Sequence, residues 1–98
     1  MKLVAVTACP TGIAHTYMAA AQLEKTAKKL GHTIKVETQG AMGIENELSQ
    51  ADVDAADAVI LATDIAIELE ERFANARKIQ VPVQAALKDP EAIFAQLN

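Results

Sequence analysis

Residues 1–31, MKLVAVTACPTGIAHTYMAAAQLEKTAKKLG, decide the fold. Leu3 to Ala8 is a short apolar cluster rich in β-branched residues, the pattern of a strand buried on both faces. After Pro10-Thr11-Gly12 the period changes. Ile13, Tyr17, Ala20, Leu23, Ala27 and Leu30 recur at three- and four-residue spacing and predict one buried helical face about five turns long. Lys25, Lys28 and Lys29 suit the negative end of a helix dipole, and Gly31 stands where a C′ glycine ends a helix. The first residues have the look of a short signal peptide, but their apolar stretch of about seven residues runs straight into a patterned helix and reads as a strand.

Working outward, further short apolar clusters lie at Ile34 to Thr38, Ala58 to Ala62 and Lys78 to Val81, separated by helical segments. The order is β-α-β-α-β-α-β-α. Gly40, Gly43 and Glu45-Asn46-Glu47 mark a loop with room for one helical turn. Ser49 followed by Asp52 predicts an N-cap opening a short helix through Ala56. Thr63-Asp64 leads into a helical Glu68 to Phe73, and Pro82 ends the fourth strand. Asp89 with Pro90 predicts a cap and first position for the last turns, anchored by Ile93, Phe94 and Leu97. Strands that alternate with helices and are buried on both faces predict an α/β fold. The expectation is a four-stranded parallel sheet with helices on both faces, a Rossmann-like three-layer sandwich spanning residues 1–98 as a single domain.

Composition removes several functions. The chain has 98 residues, 51% of them hydrophobic and 22% charged, as in an ordinary folded domain with space for one site. A formal charge of -4 opposes a nucleic-acid grip that needs many phosphate contacts. No apolar run approaches the roughly 20 residues of a membrane helix, so the chain is not expected to span. Cys9 is the single cysteine, which excludes an internal disulfide and a Cys-x-x-Cys pair and points to a reducing, cytoplasmic setting.

In open parallel sheets ligands bind at the carboxyl ends of strands. The segment at that edge after the first strand is Cys9-Pro10-Thr11-Gly12-Ile13-Ala14-His15-Thr16. A cysteine there faces backbone amides and the positive end of a helix dipole, both of which favour thiolate. The same amides form a nest for a phosphoryl group on sulfur, Gly12 permits the bend, and Thr11, His15 and Thr16 add donors. The spacing compares with the phosphatase loop Cys-x5-Arg-Ser/Thr, whose arginine clamps phosphate bidentately. Here His15 takes the arginine's place and Thr16 follows; Arg72 and Arg77 lie far along the chain, within reach only through folding. The bland readings stand beside these: Cys9 as an inert core thiol, His15 as a surface residue, Thr11 and Thr16 as turn and cap hydroxyls.

Other groups offer less. Asp52-Val53-Asp54 with Asp57 lacks the glycine and terminal glutamate of a calcium loop. One cysteine and two histidines make no closed zinc set, so no metal is expected. Glu68, Glu70 and Glu71 read as a wet face, and His32 as a solvated turn residue. Thr38 to Gly43 follows the second strand on the same edge and is either a wall of the site or merely a turn. Ile13, Met18 and Met42 are either a docking rim or core.

CPTGIAHTYMAA at Cys9 to Ala20, with VETQGAMGIENEL at Val36 to Leu48, strongly resembles the fructose-specific IIB domain of the bacterial phosphoenolpyruvate-dependent sugar phosphotransferase system. The similarity covers essentially the whole chain, including DAVILATD, Glu71-Arg72-Phe73 and LKDPEAI. Ala21 stands where many members have glutamate, and Ala41 where serine is common. The resemblance implies an α/β domain with a four-stranded parallel sheet and a phosphoryl relay. A phosphohistidine on a IIA domain donates to Cys9, and the phosphocysteine passes the group to a sugar, fructose by resemblance, held by a membrane IIC domain. Pro10, Thr11, Gly12, Ile13, Ala14, His15 and Thr16 then bind the phosphoryl oxygens, without a cofactor. The expected location is the cytoplasm, at the inner face of the membrane when docked. A hydrolase related to low-molecular-weight phosphatases and a non-catalytic anion-sensing module are the rival readings.

Overall fold

A computed structural model describes residues 1–9, 13–40 and 43–97, the side chain of Ile13 excepted. Among these residues a five-stranded sheet runs in the order β3-β2-β1-β4-β5. Its strands are β1 (Lys2–Ala8), β2 (Thr33–Gly40), β3 (Gly43–Glu45), β4 (Ala58–Thr63) and β5 (Lys78–Val81). The helices are α1 (Ile13–Lys29), α2 (Gln50–Ala55), α3 (Val83–Lys88) and α4 (Pro90–Ala95), with a 3-10 turn at Glu70–Phe73. The four expected strands are present and parallel: β1 pairs with β2 from Lys2↔Thr33 to Ala8↔Gln39 and with β4 from Leu3↔Ala58 to Ala8↔Thr63, and β4 pairs with β5.

The expected count of four strands is corrected by β3, which lies antiparallel on the edge of β2. Gly40 and Gly43 pair across a two-residue connection, and Gly43, the first residue of β3, has φ +87°, a left-handed backbone that glycine adopts without steric cost. Asn46, at φ 54°, then ends β3. These glycines and Asn46 read as a loop by composition, yet they serve the ends of a three-residue strand.

Alternation along the strands divides the core. Leu3, Ala5, Val36, Ala58, Ile60 and Ala62 meet Ala19, Ala20, Leu23 and Ala27 of α1 and Val83, Ala86, Ile93 and Phe94 of α3 and α4. Val4, Val6, Val59 and Leu61 point to the other face and meet Leu48, Val53 of α2 and Phe73. The β1-to-β2 and β2-to-β4 connections run in opposite directions across the sheet, so right-handed crossovers place α1 and α2 on opposite faces. The switch point falls at the carboxyl ends of β1 and β4.

The buried stripe of α1 is rotated from the expected one. Thr16, Ala19, Ala20, Leu23, Thr26 and Ala27 are buried, whereas Tyr17 and Leu30 are exposed. Alanine and threonine let the helix lie close to the sheet, and the Tyr17 hydroxyl donates to Glu45 Oε1 of β3 at 2.7 Å. The helix ends as expected: Gly31 (φ +82°) donates to Lys28 O and His32 N to Ala27 O, the two bonds of a Schellman cap. His32 is not merely solvated. Its ring stacks on Phe94 with centroids 5.8 Å apart.

Helix α2 carries the expected cap in reciprocal form, Asp52 N to Ser49 Oγ and Ser49 N to Asp52 Oδ2. Asp57 accepts from Lys2 N, so these carboxylates have structural partners. Asp89 caps α4 with Pro90 at its first position. The expected helix over Glu68 to Phe73 shrinks to the 3-10 turn, preceded by Leu69 in left-handed backbone (φ 58°). Among the described residues no helix is long and apolar enough to cross a membrane.

Candidate functional site

Cys9 follows β1 at the carboxyl edge and is buried, with 8% of its surface exposed. Three residues separate it from the first turn of α1. Pro10, Thr11 and Gly12 are outside the described residues, as are Ala41 and Met42. Helical geometry gives the amides of Ile13, Ala14 and His15 no intrahelical acceptor, and the dipole makes this end positive. The start of α1 is tied to the sheet next to Cys9, because the buried Thr7 hydroxyl donates to Thr16 O at 3.0 Å. Thr16 itself is buried, while Ala14 and His15 are exposed. Among the described residues Met18 is the most exposed large apolar side chain, 55% accessible, which takes it out of the core.

A cavity of about 420 Å³ opens at this edge, lined by Cys9, Gln39, Gly40, Gly43, Ile44, Ile65, Ala66 and Glu68. The Thr38 to Gly43 stretch therefore walls the space that contains the thiol, with Gln39 and Gly40 at the end of β2 and Gly43 at the start of β3, rather than serving only as a turn. Ile65, Ala66 and Glu68 were not anticipated from sequence. The rule that ligands bind beyond strand carboxyl ends applies to β4 as it does to β1, and these residues directly follow β4. The two strand ends are stitched together by Asp64, whose amide donates to Ala8 O at 3.0 Å and whose carboxylate accepts from Val83 N at the start of α3.

Behind the cavity lies a polar cluster that the sequence reading missed. Glu37 is fully buried in the middle of β2. Its Oε1 accepts from Arg72 Nη1 and from Leu48 N, both at 2.8 Å, and its Oε2 from Gln39 Nε2 at 2.7 Å and Arg72 Nη2 at 3.0 Å. Burial alone pushes this carboxyl up, but the bonds from Arg72, Leu48 and Gln39 and the guanidinium charge outweigh it and hold Glu37 below the usual carboxylate range. Arg72 also donates to Leu48 O, Leu69 O and Glu68 O, and its guanidinium lies 4.8 Å from the Phe73 ring centroid. All of its nitrogens are engaged in this cluster. Arg77 faces the opposite edge, where it donates to Gln96 O and Leu97 O. Folding thus gives both arginines structural carbonyl or carboxylate partners. A buried carboxylate must be paired, and a glutamate inside a two-sided buried strand in a chain with two arginines was the available signal.

Gln39 connects this cluster to the cavity. Besides the bond to Glu37, Nε2 donates to Glu68 O at 3.0 Å and Oε1 accepts from Glu68 N at 2.8 Å. The left-handed Leu69 that follows is a strained backbone of a kind costing about 1–3 kcal/mol, and the Arg72 Nε bond to its carbonyl holds it.

The family model described as "PTS system, Lactose/Cellobiose specific IIB subunit" matches residues 4–96. The chain belongs to the PTS IIB family. The fructose-like EIIB component 2 of Escherichia coli K12 is 53% identical over 97 residues, covering 99% of this chain and 92% of that protein. The fructose-specific EIIABC component of Bacillus subtilis is 50% identical over 93 residues, covering 95% of this chain but 14% of that longer protein. Among solved structures, a domain of the fructose-specific IIABC component of Borrelia burgdorferi superposes with a TM-score of 0.93 at 48% identity, covering 98% of this chain and 91% of that one. These relatives are named as fructose-like or fructose-specific components, and the solved Borrelia domain shares the mainly parallel sheet flanked by helices.

Proposed function

We propose that Cys9 carries a phosphoryl group from a phosphohistidine on a IIA domain to a sugar held by a membrane IIC domain, with residues 1–98 acting as one IIB unit. The observation that carries this reading is the position of the only cysteine, at the central strand's carboxyl end, in a cavity and separated by three residues from α1, in a IIB family chain. In the first step the Cys9 thiolate attacks phosphorus in line. The S–P bond forms as the N–P bond breaks, and the imidazole nitrogen leaves with the bonding pair. In the second, a sugar hydroxyl attacks, the O–P bond forms, the hydroxyl proton departs to a base or water, and sulfur leaves as thiolate. The equatorial oxygens are held by the Pro10–Thr16 segment, with the amides of the first turn of α1 and the donors of Thr11, His15 and Thr16 as the candidates.

The partners follow from relatives in which the modules are fused, including a fructose-like EIIBC component of Escherichia coli. The sugar class is fructose. A 48% identical relative is named for 2-O-alpha-mannosyl-D-glycerate, and the family description names lactose and cellobiose. Such a range supports a division of labour in which this domain holds phosphate and IIC selects the sugar. The hydrolase reading is disfavoured because both arginines have partners away from Cys9.

The test is a relay: labelled phospho-IIA, then this chain, then membranes containing IIC and a panel of sugars. Label should reach the chain, leave it on addition of membranes and appear on fructose. A Cys9→Ser chain should accept none. Release of inorganic phosphate without membranes would instead support the hydrolase.

A further inference from the structure

The cavity between α2 and the 3-10 turn has most of its charged rim engaged in the fold. The space of about 530 Å³ between α2 and the 3-10 turn is rimmed by Asp54, bonded to Gln50, by Asp57, bonded to Lys2 N, and by the engaged Arg72 and Arg77. The cavity at Cys9 differs, because one of its lining side chains holds two of its walls together.

We propose that Gln39, oriented by the buried Glu37–Arg72 pair, is a positioning residue for phosphoryl transfer at Cys9, clamping the wall that follows β4 to the end of β2. The proposal rests on the reading of Cys9 as the phosphoryl carrier. Gln39 lines the cavity, yet both amide donors are engaged, with Glu37 Oε2 and Glu68 O, and its oxygen accepts from Glu68 N. It therefore does not reach for a ligand in this arrangement. Its paired bonds to both backbone groups of Glu68 replace a strand ladder that the segment Asp64 to Leu69 lacks. That segment has no regular structure. It is fastened at its start by Asp64 to Ala8 and Val83, at Glu68 by Gln39, and at its end by Arg72.

The orientation of the Gln39 amide is itself determined. Glu37 Oε2 accepts, so it selects the NH2 end of the amide and leaves the oxygen for Glu68 N. Glu37 in turn is fixed by the two-pronged Arg72, which also bonds Glu68 O and Leu69 O, closing a ring from β2 to the cavity wall and back. Ile65 and Ala66, between the fastened points, form part of the space in which phosphorus must align with sulfur.

The experiment measures single-turnover transfer from phospho-IIA to the full chain, reading the limiting rate at saturating donor and the donor concentration at half that rate. Gln39→Leu removes the three bonds at similar size, and misalignment on the order of 1 Å lowers the limiting rate about 10- to 100-fold. The half-saturating concentration should change less than about twofold, because the loss falls on the aligned state. Arg72→Lys, which keeps the charge without the fork, should fall between wild type and Gln39→Leu. Val53→Ala in α2 lowers stability and should leave both constants unchanged. Alkylation of Cys9 by iodoacetamide, which needs no donor, should accelerate in Gln39→Leu as the wall loosens. A limiting rate equal to wild type in Gln39→Leu, or in Arg72→Lys where Gln39→Leu does not fold, overturns the proposal. Unchanged alkylation in the variant overturns the clamp. A wild-type chain that takes no phosphoryl group on Cys9 overturns the underlying reading instead, and alkylation still reports on the clamp.

Discussion

The two faces of the sheet are built from different chemistry. On the α1 side, Leu3, Ala5 and Ile60 meet alanines, Leu23 and the residues of α3 and α4. On the α2 side, Val4, Val6, Leu61 and Phe73 make a smaller apolar cluster, and its neighbour in β2 is the buried ion pair Glu37–Arg72 with Gln39. An apolar contact resists unfolding through area and shape and has little directionality. A bidentate carboxylate–guanidinium pair contributes less net stability, because desolvation offsets the attraction, but it fixes direction. The directional face adjoins the cavity wall. We read the apolar side as the support for β1 and α1, and the polar side as the device that holds loops which have no secondary structure of their own.

The contrast can be broken most forcefully at Arg72. Arg72→Ala leaves Glu37 buried with its charge uncompensated and should cost about 3–5 kcal/mol in urea unfolding. Leu23→Ala, on the other face, removes a fully buried side chain and should cost about 2–5 kcal/mol, with the lower end expected if neighbouring helices close the gap. Loss of the Ser49 hydroxyl in Ser49→Ala opens one side of the α2 capping box and should cost about 1 kcal/mol.

The smallest change in stability at neutral pH should come from removing the pair whole. A Glu37→Leu/Arg72→Met chain should be as stable as wild type or more so, since apolar replacement of a buried pair is often neutral or stabilising. Its pH dependence should differ. Glu37 is held below the usual carboxylate range in the fold, so its contribution is present above the unfolded carboxyl pKa and is lost as pH falls through the folded value. Wild type should therefore lose more stability than the double variant on acidification, as measured by urea midpoints at neutral pH and near about pH 3. Asp52, held at about 2 by the Ser49 amide, Lys35 and the Ser49 hydroxyl, follows the same sign in both chains and cancels from the comparison. Equal acid sensitivity of the two chains would contradict the assignment.

Much of this architecture was legible because local rules and tertiary packing agree. Four apolar clusters became the four parallel strands, Gly31 ends α1 in a Schellman cap, and Ser49–Asp52 and Asp89–Pro90 cap α2 and α4. The rotation of α1 was hidden because Tyr17 and Leu30 fit an apolar period while Thr16 and Thr26 are buried instead. Strand β3 was hidden because three residues between turn formers carry no period of their own. The octapeptide at Cys9 could be singled out by its place in the chain, and Gln39 and Gly40 by the same edge rule. Ile65 follows β4 and falls under that edge rule too, whereas the fastening of Glu68 to Gln39 spans 29 residues, which no local pattern encodes. Arg72 illustrates the same limit: its distance from Cys9 in sequence was visible, its attachment to Glu37 was not.

The central claim is that the thiol at the end of β1 is the phosphoryl acceptor. The most direct measurement is one turnover with phosphorylated IIA, quenched under conditions that preserve thiophosphate linkages and read by peptide mass analysis. The account predicts the phosphoryl group on the peptide carrying Cys9 and its absence from the Cys9→Ser chain. Phosphorylation of a histidine such as His15 with Cys9 unmodified, or discharge of the donor with no label on this chain, would contradict it.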